Sequence, residues 1–249
     1  MGLQRAPLGF WRRTSRKTRV VLAVLAANAA VALAGMWVVP AVLRWPGGLA
    51  AMLGAVAAQF AIAVVAVIGP MRVDKRSRTA GIYLAIGTLF ALSYVGLLAT
   101  EIAGIQLSID RGPVTVYALF AGAGVLAGAL TYWRTTRLLH GAIAGCWALV
   151  IGTAMWSLGW VSLNYVLWGG ARWHRFWLQD GAIADFYRQG GPDLGAFLLQ
   201  DMYGAMVAHQ LLSVVIGIAG GFAGSGIVRA PMALARRLRR TTATQPRVP

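Results

Sequence analysis

Six apolar stretches, each long enough to cross a bilayer, constrain the fold of this chain more than any motif does. They cover residues 20–43, 48–70, 80–104, 114–133, 141–168 and 197–228. A helix rises about 1.5 Å per residue, so about 20 apolar residues span the hydrocarbon core. Prolines lie at or near the ends of the stretches, where a missing amide donor does least harm. The sequence therefore predicts an all-α, polytopic transmembrane bundle with about six spans.

The composition excludes an ordinary soluble protein of this length. The chain of 249 residues is 58% hydrophobic and only 12% charged. A soluble surface needs far more polar cover than these residues can supply. The bilayer is therefore the expected partner of the chain.

The basic residues indicate an orientation. Of the 23 cations, 18 fall in the N-terminal segment, the second and fourth gaps and the C-terminal tail, whereas five fall in the other gaps. The acidic residues divide the opposite way, with only Asp74 on the basic side. By the positive-inside rule, the chain is expected in the cell inner (plasma) membrane with both termini cytoplasmic.

Two basic segments flank the membrane domain, which is predicted over 20–228. Residues 1–19 form a basic interfacial segment, and residues 229–249 form a basic cytoplasmic tail.

The triplet Ala32-Leu33-Ala34 imitates a signal-peptide cleavage site, but the apolar run around it is too long for a typical signal peptide. A retained first span is expected.

The longest external gap, about 169–194, has an amphipathic pattern. Its apolar stripe is Trp173, Phe176, Trp177, Ile183 and Tyr187. Gly181 and its neighbour Asp180 interrupt the stripe, so two short helices or a re-entrant dip are alternatives to an aromatic belt on a surface loop.

Five polar residues are predicted to share a height near the external face. Counting 1.5 Å per residue from the nearest basic or cytoplasmic position gives the layer Glu101, Asn164, Asp201, His209 and Gln210. An ionisable group at such a depth suggests function by default, whereas residues near the headgroups can simply reach water.

Two amides, Asn28 and Gln59, are predicted nearer the middle of the membrane. If the first two spans form an antiparallel hairpin, these side chains lie at similar heights and can bond across it. Such a bond contributes about 0.6–2 kcal/mol and sets the register between helices.

Glycines at four-residue spacing predict close helix packing. The candidates are Gly124, Gly128, Gly141, Gly145, Gly217, Gly220, Gly221 and Gly224. Small residues let helix backbones approach one another in lipid. A flexible, gate-forming helix is the alternative interpretation of the last four.

No motif in the sequence indicates catalysis, a metal or a cofactor. HExxH, GxSxG and Walker-type loops are missing, and Cys146 is the sole cysteine. Ser225 and His209 lie about 24 Å apart on one predicted helix, too far for a serine nucleophile and its base. The cations occupy gaps between spans and form no nucleic-acid-binding face.

Three functional hypotheses follow from this layout. The chain is similar in architecture to ABC-2-type permeases, with six spans, both ends inside and its longest external segment before the last span. That similarity implies a transporter-type membrane subunit with a separate ATPase partner. The alternative is a non-transporting scaffold, sensor or assembly factor that contacts another membrane protein. A lipid-modifying enzyme is third, and it would depend on Glu101, Asp201 and His209.

Overall fold

The protein is a helical bundle. The computed structural model describes residues 15–68, 79–103 and 113–243, and these residues form helices and no strand. The α-helices are α1 (Arg16–Val38), α2 (Gly48–Ile68), α3 (Ala80–Ile102), α4 (Pro113–Thr135), α5 (Leu138–Leu167), α6 (Ala171–Asp180), α7 (Ala182–Gln189) and α8 (Leu194–Ala243). A short 3-10 helix, Pro40–Leu43, joins α1 to α2. The all-α fold class is confirmed.

Among the described residues, five helices are long and apolar enough to cross a membrane: α1, α2, α3, α5 and α8. The remaining predicted span corresponds to α4, a helix of 23 residues that packs against α5 and α8. The number of six spans and their orientation stay predictions. The predicted N-terminal segment lies mostly outside the described residues, which begin at Ser15, the N-cap of α1.

Helix α5 forms the centre of the bundle. Two thirds of its most apolar window is buried, against a third or less in the other four candidate spans. It contacts α1, α3, α4 and α8. Because α5 is apolar on all sides, it has no polar face that would oppose its burial within the bundle.

Close contacts define the directions of the helices. Gly145 of α5 lies against Gly217 and Gly221, and Gly141 lies against Ser225, so α8 runs antiparallel to α5. By contrast, α1 runs parallel to α5. Its Asn28 is bonded to Ala154, and Gly35, further along, lies beside Tyr165.

The segment predicted as an amphipathic gap folds into two short helices, α6 and α7, which we call the cap. Gly181 separates them in a left-handed conformation with φ of 90°, which a residue with a Cβ rarely adopts. Trp173, Trp177 and Ile183 are buried against the bundle and not spread over a surface loop. Tyr187, the last residue of the predicted apolar stripe, is 73% exposed and does not join this buried set.

The neighbour of Tyr187 takes its place in the stripe, since Phe186 is 8% exposed. The break at Gly181 resets the helical phase, and spacing counted across it therefore points to the wrong residue. Phe186 packs its ring against Trp45, at the end of the α1–α2 link, and against Phe197, at the beginning of α8.

Helix α8 is much longer than the predicted span 197–228. It runs for 50 residues through Pro231, which gives a length of about 75 Å. The predicted basic tail therefore begins as a continuation of this helix to Ala243.

Candidate functional site

Four buried polar side chains, one from each of four helices, form the candidate site. They are Asn28 of α1, Gln59 of α2, Ser157 of α5 and Gln210 of α8, and each is at most 3% exposed. We call them the polar layer. Each carries at least one buried polar atom without a hydrogen-bond partner.

The height of Asn28 is fixed by α5. Its amide Nδ2 donates to the carbonyl of Ala154 at 2.6 Å and to that of Val24 at 3.2 Å. Ser157 lies three residues beyond Ala154 on α5, about 4.5 Å further along the axis. Asn28 and Ser157 therefore differ little in height.

The height of Gln210 follows from a hydroxyl pair that joins α5 to α8. The Oγ1 of Thr153 and the Oγ of Ser213 lie 2.5 Å apart, and both residues are fully buried. Because the two helices are antiparallel, three residues back from Ser213 along α8 correspond to three residues forward from Thr153 along α5. Gln210 is thus within about one residue rise, about 1.5 Å, of Ser157.

The height of Gln59 follows from α1. Leu25 of α1 and Ile62 of α2 line the same apolar notch, which α5 closes with Val150 and Ala154. In an antiparallel pair, three residues after Leu25 correspond to three residues before Ile62. Gln59 therefore lies at about the height of Asn28.

The predicted bond between these two amides is absent. Asn28 donates to the backbone of α5, and its Oδ1 has no partner. Both polar atoms of the Gln59 amide are also unpartnered. The carbonyl of Ala154 on α5 competes for the Nδ2 donor of Asn28, and it lies at hydrogen-bond distance.

The unpartnered atoms give the layer its chemistry. A buried polar group without a partner costs about 1–3 kcal/mol. Such groups are rare in folded proteins and usually bind ordered water or a ligand. The layer offers amide and hydroxyl groups that both donate and accept, and its four side chains carry no charge.

The predicted external layer divides into two heights. Asp201 corresponds by register to the end of α5, near Asn164, whereas His209 and Gln210 lie near Ser157, about 12 Å lower. The prediction placed Asn28 well below Gln210, but the two are at nearly equal height. The count from basic residues failed because the helices begin at different heights. Lys17, near the start of α1, lies beside Gly81 at the start of α3. Helix α5 begins lower in the bundle, at Leu138.

His209 lies at the height of the layer but on another face of α8. Its ring centroid is 4.8 Å from that of Trp156 and 6.1 Å from that of Phe120 on α4. Its Nδ1 lies 2.8 Å from the carbonyl of Ala205, which only accepts, so Nδ1 donates. Glu101 lies in the last turns of α3, and its side chain is outside the described part of the structure.

Asn164 holds the cap in place. Its Oδ1 accepts from the indole Nε1 of Trp177 at 3.1 Å, and its Nδ2 donates to the carbonyl of Trp160 at 3.0 Å. Asn164 and Trp177 are both buried. The side chain predicted for an external functional layer is thus used to join α5 to α6.

Asp201 borders a groove between the cap, α2 and the beginning of α8. The groove has a volume of about 560 Å³, and its lining includes Trp45, Phe197 and Asp185. Loss of solvent and the nearby Asp185 carboxylate together raise the pKa of Asp180 above its ordinary value. The lining of the groove contains the carboxylates of Asp201 and of Asp185, which is paired with Arg188, and we call it the acidic groove.

Helices α4, α5 and α8 meet through glycine backbones. A methyl group added at Gly128 would overlap the backbone of Gly221, and one added at Gly145 would overlap that of Gly217. We call the following set the glycine seam: Gly124, Gly128, Gly141, Gly145, Gly217, Gly220, Gly221 and Gly224. Gly124 is the loosest member, since its added Cβ would have contacts of 3.5 Å.

Ser225 bonds within this seam and not to any titratable group. Its Oγ donates to the carbonyl of Gly221 at 2.8 Å and lies 3.4 Å from that of Gly128. In the part of the chain that is described, no three side chains of His, Cys, Asp or Glu group together as metal ligands would.

Sequence reasoning missed several residues of the site. Ser157 and the Thr153–Ser213 pair lie in the interior, as do the hydroxyls of Tyr165 and Tyr203, 3.1 Å apart. Tyr203 donates to the carbonyl of Ala32 at 2.5 Å and thereby joins α8 to α1. The spacing of Thr153 and Ser157, one helical turn apart on a predicted span, was a usable signal.

Comparisons of the chain with protein families, with curated proteins and with solved structures find no match.

Proposed function

We propose that this protein is a transporter-type membrane subunit that holds a small polar solute at the polar layer. The carrying observation is the set of buried, unpartnered polar atoms on α1, α2, α5 and α8. Polar groups that face the interior of a membrane bundle without partners are typical of substrate or ion pathways.

The packing supports a division into two parts that can move against each other. The glycine seam holds α4, α5 and α8 at backbone contact, and Gly87 of α3 is equally close to Ala148 of α5. The α1–α2 hairpin is less enclosed, with 28% and 22% of its windows buried. The polar layer lies where this hairpin meets the tightly packed helices, which is where a solute path is easiest to open.

Two polar contacts fasten the hairpin to the rest of the bundle. Tyr203 donates to Ala32 above the layer, and Asn28 donates to Ala154 within it. Hydrogen bonds between membrane helices contribute about 0.6–2 kcal/mol each, so thermal motion or a bound partner suffices to exchange them. In this mechanism, opening the Tyr203 contact connects the layer to the acidic groove.

Accessibility of the layer to a solute tests the proposal. In a Cys146→Ala background, Ser157→Cys introduces one thiol at the layer, and iodoacetamide, a small uncharged reagent, is added to the protein in lipid vesicles. We expect alkylation of this thiol without unfolding, with the fully denatured protein as the reference for complete reaction.

The matched control is Ala148→Cys in the same background. Ala148 is as buried as Ser157 but lies in the tight α3–α5 contact, so its thiol should stay unmodified. Equal protection of both thiols would overturn the proposal, because no solute would then reach the layer.

A scaffold role remains the second candidate, and one surface favours it. Helix α2 exposes Ala50, Gly54, Ala57 and Ala61 on one face, and a methyl added at Gly54 would meet nothing within 4 Å. A small-residue face of this kind suits another membrane helix. Purification in mild detergent separates the possibilities: an ATPase companion supports the transporter, and a helical membrane companion without any ATPase supports the scaffold.

A further inference from the structure

We infer that the polar layer selects an uncharged solute that carries both hydrogen-bond donors and acceptors, such as a small amide. This inference rests on the proposed function and specifies its substrate class.

The free atoms are balanced between donors and acceptors. Gln59 and Gln210 each present an unpartnered Nε2 donor and an unpartnered Oε1 acceptor. The Ser157 hydroxyl does both, and Asn28 contributes Oδ1 as an acceptor, since its Nδ2 is already bonded. A primary amide has the same pair of groups and is therefore complementary to the two glutamines.

No charged side chain is directed to the layer by any contact that the described residues make. His209, which lies at the height of the layer, packs on Trp156 and Phe120 and donates to Ala205. Asp201 lines the groove about 12 Å higher. An ion in the layer would lose its hydration without gaining a counter-charge, whereas a neutral amide pairs with the donors and the acceptors alike, so the neutral solute is favoured.

Three probes of one shape and different charge test the inference. Acetamide, acetate and acetamidinium are planar and nearly isosteric, and they are neutral, negative and positive at pH 7. Each is added to the Cys146→Ala, Ser157→Cys protein in vesicles at equal concentration, and the rate of alkylation by iodoacetamide is measured. We expect acetamide to slow the reaction and the two ions to leave it unchanged.

Gln210→Leu, added to that protein, should weaken the protection. Loss of one hydrogen bond to the solute weakens binding about fivefold. Gln179→Leu is the matched control, because Gln179 is exposed on α6 and lines neither the layer nor the groove, and it should retain full protection.

The outcomes separate this inference from the proposed function. Protection by acetate or acetamidinium equal to that by acetamide overturns the neutral-solute inference and leaves the proposed function standing. Alkylation that no probe slows, or protection that Gln210→Leu leaves undiminished, also overturns the inference alone. A thiol that is never alkylated overturns both.

Discussion

Single polar residues in this bundle do different work although they look alike in the sequence. Asn28, Gln59 and Asn164 are all amides inside predicted spans. Asn164 satisfies its oxygen with Trp177 and is structural, whereas Gln59 has no partner at either atom. Residue type and depth predicted that these side chains were buried, but their partners depend on the neighbouring helix and were not readable.

The bond between Trp177 and Asn164 can be tested directly. We expect Trp177→Phe to lower the free energy of unfolding by about 1–3 kcal/mol, because it leaves the Asn164 oxygen buried and unpartnered. Thermal unfolding in mild detergent measures this. Trp133→Phe is the control: Trp133 is 71% exposed, and its replacement should have little effect.

Tyr203 offers a second test at the residue scale. Tyr203→Phe removes only the hydroxyl that joins α8 to α1, and we expect a loss of about 0.6–2 kcal/mol. Tyr187→Phe, at a residue that is 73% exposed, should leave stability unchanged. Equal melting temperatures of the two variants would contradict a structural role for the Tyr203 hydroxyl.

Among the elements, α8 was predicted from its apolar run and its glycines, yet its length was not. The pattern ended at residue 228 because cations follow, but the helix continues to Ala243 with Pro231 inside it. A proline inside a helix removes one backbone hydrogen bond, so the sequence favoured an end near this residue. The cap was predicted only as one of several alternatives. Gly181 indicated a break, but nothing in the spacing showed that Phe186 would replace Tyr187.

The glycine seam makes a sharp prediction for α8. We expect Gly221→Ala to destabilise the bundle by about 1–3 kcal/mol or more, because the added methyl would overlap the backbones of Gly141 and Ala142. Gly226→Ala is the matched control on the same helix, where an added methyl meets nothing within 4 Å. It should be neutral or slightly stabilising, since alanine has the higher helix propensity.

If the two alanine variants unfold at the same temperature, then the backbone contact in the seam is not tight. The measurement is thermal unfolding of the purified protein in one detergent, with helical content followed by circular dichroism.

For the whole molecule, the sequence predicted the fold class because hydrophobic length is a strong signal in lipid. It did not predict the candidate site, because heights counted from cations assume that all helices begin at one level. Instead, Lys17 lies beside the beginning of α3, and Asn28 is bonded to Ala154 of α5. Helix α1 therefore begins beside a turn of α5 that is well past Leu138. Only the packed structure brings Asn28 to the height of Gln210.

The orientation is a prediction for the whole chain. Reporter fusions after Pro249 should be active in the cytoplasm, whereas a reporter inserted at Gly190, after the cap, should be active outside. The reason is that 18 of the 23 cations lie in the segments predicted on one side of the membrane. A tail fusion that is active only outside the cell would contradict it.

The unbroken length of α8 also makes it a lever. From Gly221 to Leu194, at the border of the acidic groove, the helix extends about 40 Å, so a tilt of about 5° at the seam displaces that end by about 3.5 Å. In the other direction, the stretch beyond Pro231 projects past the packed helices. A force applied to that stretch would displace the opposite end of α8, beside the groove, without any helix having to unfold.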